Sequence, residues 1–186
     1  MQLILGSKSP RRKELLALLG YQFEIRTKET DESYPETLAP KDVATFIANK
    51  KASELIDTLQ ENEVLICADT IVVIGNQILG KPNSPKQAFE MLSTLSGKEH
   101  EVITGITIAS ATKKIDFSVN TKVLFNKLSA ETINHYIETF QPFDKAGSYG
   151  IQEWIGLVAI EKIEGSYANV VGLPTHKLYK ELRWQI

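Results

Sequence analysis

Leu3-Ile4-Leu5-Gly6-Ser7-Lys8-Ser9-Pro10-Arg11-Arg12-Lys13-Glu14-Leu15-Leu16-Ala17-Leu18-Leu19-Gly20 is the stretch on which the fold turns. The apolar start, Leu3 to Leu5, reads as a buried strand. Ser9 is a good N-cap, Pro10 suits the first helical position and Gly20 the C-terminal stop, so Pro10–Leu19 reads as a helix. The chain therefore opens with a β-loop-α unit. Arg11, Arg12 and Lys13 fall in the first turn of that helix, where the dipole is positive and cations are disfavoured. A bound anion reverses the sign: backbone N–H groups, the hydroxyls of Ser7 and Ser9 and the guanidinium forks can converge on phosphate. A local rule broken without visible compensation marks a candidate site.

Outward from this opening, Gln22–Arg26 alternates at period two and reads as a half-exposed strand. Thr27 to Pro40 is polar, acidic and proline-bearing, a connection of about 14 residues and long enough to suspect function. Lys41–Ile56 is helical in pattern. Val64-Leu65-Ile66-Cys67-Ala68 is the continuous apolar run of a strand buried on both faces. Ile71–Ile74 and Ile78-Leu79, around Gly75-Asn76-Gln77, suggest a hairpin. Ser84-Pro85-Lys86-Gln87 supplies a capping box for a helix ending at Leu95. His100–Ala109 and Ile115–Phe125 read as strands, Ser129 caps a helix to about Thr139, Leu157–Ile163 reads as a strand and Pro174–Leu182 as a closing helix. Gly165-Ser166-Tyr167 reads as an ordinary turn. βα units mixed with antiparallel pairs predict an α/β fold with a mixed parallel and antiparallel sheet flanked by helices.

Bulk composition narrows the classes. The 186 residues suit one domain or two small lobes sharing a cleft. A net charge of −2 excludes the global basic field expected of a nucleic-acid binder, so phosphate chemistry must rest on local positive charge. Cys67 is the single cysteine, which excludes an intrachain disulfide and a cysteine metal cluster. His100, His135 and His176 lack zinc-ligand spacing. No apolar run approaches the roughly 20 residues of a membrane span, and no secretory leader is recognisable. The expectation is a cytoplasmic protein without membrane or nucleic-acid partners.

Several positions carry candidate chemistry. Asp69-Thr70 follows the buried 64–68 run and so is expected beyond the carboxyl end of that strand, where α/β sheets gather ligands; a turn aspartate is the bland alternative. Asp31 and Glu32 lie in the acidic connection. Magnesium takes one or two carboxylates plus water and phosphate oxygens, a need that Glu32 with Asp69 meets if the connection folds back. Lys51 has Ile47 and Leu55 four residues away on either side, whereas Lys50 has Phe46 and Glu54, so Lys51 lies in an apolar stripe and Lys50 beside an ion-pair partner. Lys51 either snorkels or reaches into a cleft. Lys81 occupies a connection, and Asp144-Lys145-Ala146-Gly147-Ser148-Tyr149-Gly150-Ile151-Gln152 is a glycine-bearing loop whose Gln152 offers the donor and acceptor that a base edge needs.

Together these segments resemble the Maf family of nucleoside triphosphate pyrophosphatases. The matching pieces, in family order, are Ser7-Lys8-Ser9-Pro10-Arg11-Arg12, Asn49-Lys50-Lys51-Ala52, Ala68-Asp69-Thr70, Gly80-Lys81-Pro82, Leu95-Ser96-Gly97, Asp144-Lys145-Ala146-Gly147, Tyr149-Gly150-Ile151-Gln152 and Val171-Gly172-Leu173-Pro174. The resemblance spans nearly the whole chain and implies a single domain over 1–186, with two lobes around a central cleft. It implies hydrolysis between the α and β phosphates with a divalent cation, Mg2+ or Mn2+. By position it implies Asp69 as proton acceptor, Glu32 and Asp69 as metal ligands, Ser7, Arg12, Lys51 and Lys81 as phosphate binders, and Arg11, Thr70 and Gln152 as specificity positions. Arginine, threonine and glutamine there resemble the branch acting on dTTP and UTP. A 7-methyl-GTP pyrophosphatase and a nucleotide-binding cell-division regulator without required turnover are the alternatives, and a homodimer is compatible with the resemblance. Two departures stand out: Gly6 where alanine is frequent, and Glu153-Trp154-Ile155 in place of small residues.

Overall fold

The computed structural model describes residues 2–183. In chain order the elements are β1 (Gln2–Leu5), α1 (Pro10–Leu18), β2 (Phe23–Ile25), α2 (Pro40–Ser53), a 3-10 turn (Ile56–Thr58), β3 (Glu63–Ile74), β4 (Gln77–Leu79), α3 (Pro85–Leu95), β5 (Glu99–Ala109), β6 (Lys114–Phe125), α4 (Ala130–Phe140), a second 3-10 turn (Ala146–Ser148), α5 (Trp154–Val158), β7 (Ile160–Glu164), α6 (Tyr167–Val171) and α7 (Thr175–Arg183). The strands join in the order β2-β1-β3-β5-β6-β7, with β4 pairing to β3 in addition. β1 runs parallel to β2 and β3, while β4 and β7 lie antiparallel to their partners. The sheet is mixed, as the sequence pattern predicts.

The chain divides into two compact units. One comprises the residues up to Thr70, Thr104–Val119 and those from Gly172 onward; the other comprises Ile71–Ile103 and Asn120–Val171. In the first unit both faces of the sheet are buried, which explains the unbroken apolar runs of β1 and β3. Leu3, Leu5, Val64, Ile66 and Ala68 pack in one cluster with Leu16 of α1 and Leu178 and Leu182 of α7. Ile4, Leu65 and Cys67 pack on the other face with Ala52 of α2 and Leu55. The helix α2 comes very close to β5 because position 105 has no side chain: a Cβ there would lie 2.3 Å from the carbonyl carbon of Ala44 and the amide nitrogen of Thr45.

Three expectations are corrected. β3 does not stop at Ala68: it runs to Ile74, so Asp69 and Thr70 are in mid-strand and not beyond its end. β1 does stop, at Leu5, with its last pair Leu5↔Ile66, and β4 takes up pairing from Val72. Asp69 and Thr70 thus stand past the carboxyl end of β1, on a strand that is changing partners. The second correction concerns 157–163, expected as strand. Trp154–Val158 is helical and β7 begins at Ile160, for Ile155 and Ala159 are buried while Leu157 and Val158 between them are exposed, a spacing of four that belongs to a helix. Lastly, Ser166 is no ordinary turn residue but opens α6, its hydroxyl accepting the Asn169 N–H at 3.2 Å.

Candidate functional site

The turn after β1 is built as its sequence suggests. Gly6 N–H donates to Ile66 O at 2.8 Å, continuing the ladder by one bond. Its lack of a side chain is used: a Cβ would lie 2.4 Å from Cys67 Sγ, so the departure from alanine at position 6 is the counterpart of the buried cysteine. Ser7 Oγ accepts from Ser9 N–H at 3.2 Å, and Ser9 Oγ in turn caps α1 by accepting the Arg12 N–H at 3.4 Å. The first turn of α1 carries no acidic residue to balance Arg11 and Arg12.

Arg12 is the tie-point of this unit. Its Nε donates to Gly172 O at 2.9 Å, Nη1 to Ala68 O at 2.9 Å and to Ser7 Oγ at 3.3 Å, and Nη2 to Thr70 Oγ1 at 3.0 Å. One guanidinium therefore joins the turn after β1, two residues of β3 and the segment preceding α7. Burial pulls its pKa below the ordinary arginine value, Asp69 and Glu32 push it back up, and neighbouring Arg11 works with burial. Thr70 Oγ1 also lies 3.0 Å from Thr104 Oγ1 of β5, a residue that sequence reasoning missed.

On the opposite side of β3 the strand's period of two turns Asp69 toward α2. Lys51 Nζ lies 2.7 Å from Asp69 Oδ1 and 2.7 Å from Glu32 Oε1. The lysine of the apolar stripe thus does reach inward, and the acidic connection does fold back to bring Glu32 beside it. Lys50 does not pair with Glu54 as expected. It bonds Asp31 Oδ2 at 2.8 Å and Ser33 O at 3.1 Å, and Glu54 pairs instead with Lys28 at 2.7 Å. Asp31 is held well below the usual carboxylate range by Lys50 first and then by Ser33. The two adjacent lysines therefore act together: Lys50 pins the connection, and Lys51 gathers its glutamate against Asp69.

Among the described residues no group of three or more His, Cys, Asp or Glu is poised to hold a metal. Glu32 and Asp69 nevertheless offer two hard carboxylates directed at one positive charge. That set suits a magnesium-class ion that takes its remaining oxygens from water and phosphate. The residues present fit such a cation.

Lys81 and Gln152 belong to the second unit and lie exposed on its loops. Their loops are bonded together, Gly147 N–H donating to Gly80 O at 3.0 Å. Beside Gln152 is a partly buried polar cluster that the sequence did not reveal. Lys145 Nζ pairs with Glu153 Oε1 at 2.9 Å and Asp144 Oδ1 at 2.7 Å, the Tyr136 hydroxyl donates to Glu153 Oε2, and Gly150 N–H donates to that hydroxyl at 3.0 Å. Trp154 stacks against Phe140 and meets His135 edge-on, a packing role within this unit. The structure thus brings together Ser7, Arg12, Glu32, Lys51, Asp69 and Thr70 in the first unit, with Arg11 part-exposed on the adjoining turn of α1.

The family model described as Maf-like protein matches residues 2–185. The chain is 46% identical over 183 residues to the dTTP/UTP pyrophosphatase of Phocaeicola vulgatus, covering 98% of this chain and 95% of that protein. It is 48% identical over 178 residues to the dTTP/UTP pyrophosphatase of Flavobacterium psychrophilum, with 96% and 91% covered. Among solved structures, the Ham1 protein of Staphylococcus aureus aligns over 100% of both chains at 9% identity, with a TM-score of 0.59. That last likeness bears on the fold alone.

Proposed function

The chain belongs to the Maf-like protein family, and from that premise we propose that it is a nucleoside triphosphate pyrophosphatase acting on dTTP and UTP. The reaction is hydrolysis of the α–β phosphoanhydride bond, releasing pyrophosphate and the nucleoside monophosphate. The reading assigns residues 1–186 to one catalytic domain. The observation that carries it is the meeting of Asp69 and Glu32 on the Lys51 ammonium, at the carboxyl end of β1.

A triphosphate brings about four negative charges, so cations must gather its oxygens before a nucleophile can approach. Ser7, Lys51 and Lys81 take that part, together with Arg12, which has already placed four hydrogen bonds within the protein. Arg11, Thr70 and Gln152 govern which nucleotide is accepted. Asp69 is the proton acceptor, its carboxylate oriented by the Lys51 ammonium at Oδ1. The water proton passes to Asp69 as the water oxygen bonds to the α-phosphorus, and the bond from that phosphorus to the bridging oxygen breaks. Glu32 and Asp69 would hold a divalent cation, which when bound would supply further neutralisation of the departing pyrophosphate.

Pyrophosphate release tests the reading, measured over UTP, dTTP, CTP and 7-methyl-GTP with Mg2+ or Mn2+. We expect turnover of UTP and dTTP and its near-complete loss in Asp69→Asn, with an unchanged circular dichroism spectrum. Turnover retained in Asp69→Asn overturns the catalytic assignment, and turnover of 7-methyl-GTP alone overturns the substrate.

A further inference from the structure

Gln152 is exposed, yet the backbone on either side of it is restrained. Tyr149, Gly150 and Ile151 before it are buried and Glu153 after it is half-buried. Upstream, Gly147 and Ser148 both adopt left-handed φ, +68° and +61°. For a serine this is a strained choice, one that persists only where the surroundings enforce it. They do: Ser148 is fully buried, its N–H donates to Lys145 O at 3.2 Å and its hydroxyl meets Met91 Sδ at 3.1 Å, while Gly147 is tied to Gly80.

The downstream half is held by charge. Glu153 bridges Lys145 and Tyr136, and Tyr136 passes the restraint to the Gly150 N–H. The pair lies flat against the chain at Gly150, where a Cβ would stand 2.9 Å from both Glu153 Cδ and Lys145 Cε. Glu153 N–H closes the arc on Gly150 O at 3.0 Å. Gln152 thus sits on a short span fastened at Gly150 and at Glu153, the fastening being the partly buried Lys145–Glu153 ion pair.

We infer that Glu153, with Lys145 as its counter-charge, is a positioning residue that fixes Gln152 and thereby sets base selectivity in the pyrophosphatase reaction. The inference rests on the functional reading above, in which Gln152 meets the base. A donor–acceptor side chain discriminates one base edge from another only if its backbone is held, since small displacements cost both affinity and choice. Glu153 does this through the chain and through Gly150, without touching the nucleotide.

A double-mutant cycle tests it, using full-length protein, UTP and CTP, and kcat/KM from pyrophosphate release. Glu153→Ala is expected to lower the UTP-over-CTP ratio about tenfold, mainly by raising KM for UTP. Gln152→Ala lowers the ratio similarly. In the Gln152→Ala background, Glu153→Ala leaves the ratio unmoved, because the residue it positions is gone. Glu153→Gln, which keeps the shape and one hydrogen bond, is expected to fall between wild type and Glu153→Ala, and it serves should Glu153→Ala fail to fold. An unchanged ratio in the single variants, or equal further losses in both backgrounds, overturns the inference. Wild-type protein inactive on every pyrimidine triphosphate overturns the functional reading itself, and this inference with it; active wild type with unaltered Glu153 variants overturns this inference alone.

Discussion

Replacing Arg12 by methionine keeps an unbranched apolar stem and removes the guanidinium with all four of its hydrogen bonds. The two hydroxyl acceptors have other partners: Ser7 Oγ keeps the Ser9 N–H, and Thr70 Oγ1 keeps Thr104. The carbonyls of Ala68 and Gly172 lose a charged donor. At about 1–3 kcal/mol for each buried polar group left without its partner, the cost is about 2–6 kcal/mol, a large part of the stability of an ordinary domain. Arg12→Lys keeps the charge but not the planar fork and is expected to recover no more than half of that loss. Equilibrium urea unfolding followed by circular dichroism measures both, with Lys13→Met as an exposed control expected within about 0.5 kcal/mol of wild type. An Arg12→Met protein that loses turnover yet unfolds within about 1 kcal/mol of wild type refutes the reasoning. The guanidinium would then serve ligand alone and not the joining of the chain segments.

Two further outcomes follow from buried neighbours. Gly6→Ala drives a methyl group into Cys67 Sγ and is expected to cost about 1–3 kcal/mol, most of it regained in the Gly6→Ala/Cys67→Ala double variant; thermal unfolding checks this, and a double variant no more stable than the single contradicts the packing argument. His100 is buried against Phe125 and Tyr149, and burial holds its pKa down at about 4 although the backbone at Lys98 opposes that. Because the folded pKa lies below the ordinary 6.5, the contribution of the neutral ring is whole above pH 6.5 and falls as pH drops toward 4, by at most about 1.4 kcal/mol per pH unit. Glu63, held down at about 2 chiefly by Arg26, extends the acid loss from its ordinary 4.5 to that value. Unfolding free energies across this pH range are expected to slope less between 6.5 and 4 in His100→Gln, and parallel curves would exclude the histidine as their source.

What could be read in advance was local. The capping of α1 by Ser9, the left-handed stop at Gly20 and the hairpin turn at Gly75-Asn76 depend on residues within a few positions of each other, and each is found in place. Lys51 stood out because helical spacing set it apart from Lys50. What escaped reading depends on partners far along the chain. The role of Arg12 is decided by carbonyls at 68 and 172, the pairing of Lys50 by Asp31 and not by Glu54, and the Lys145–Glu153–Tyr136 cluster by a fold that brings α4 to a loop. The place of Asp69 within β3 escapes for a related reason. A polar pair in a buried run looks like a strand end, and only the exchange of β1 for β4 as partner shows that the strand continues.

The bond from Arg12 to Gly172 spans 160 positions of sequence. A ribosome makes the arginine 160 positions before the glycine, at about 5–20 residues per second. Throughout that interval the guanidinium lacks one of its acceptors, and the unit containing Asp69 lacks the segment that packs Leu173, Leu178 and Leu182 into its core. Completing this part of the site therefore waits for the 160 positions that separate the two residues, and a contact so remote in sequence is among the slowest kinds to form. The consequence is temporal: a nascent chain that already carries Asp69, Lys51 and Glu32 still waits for Gly172 before the turn that would receive phosphate is tied in place.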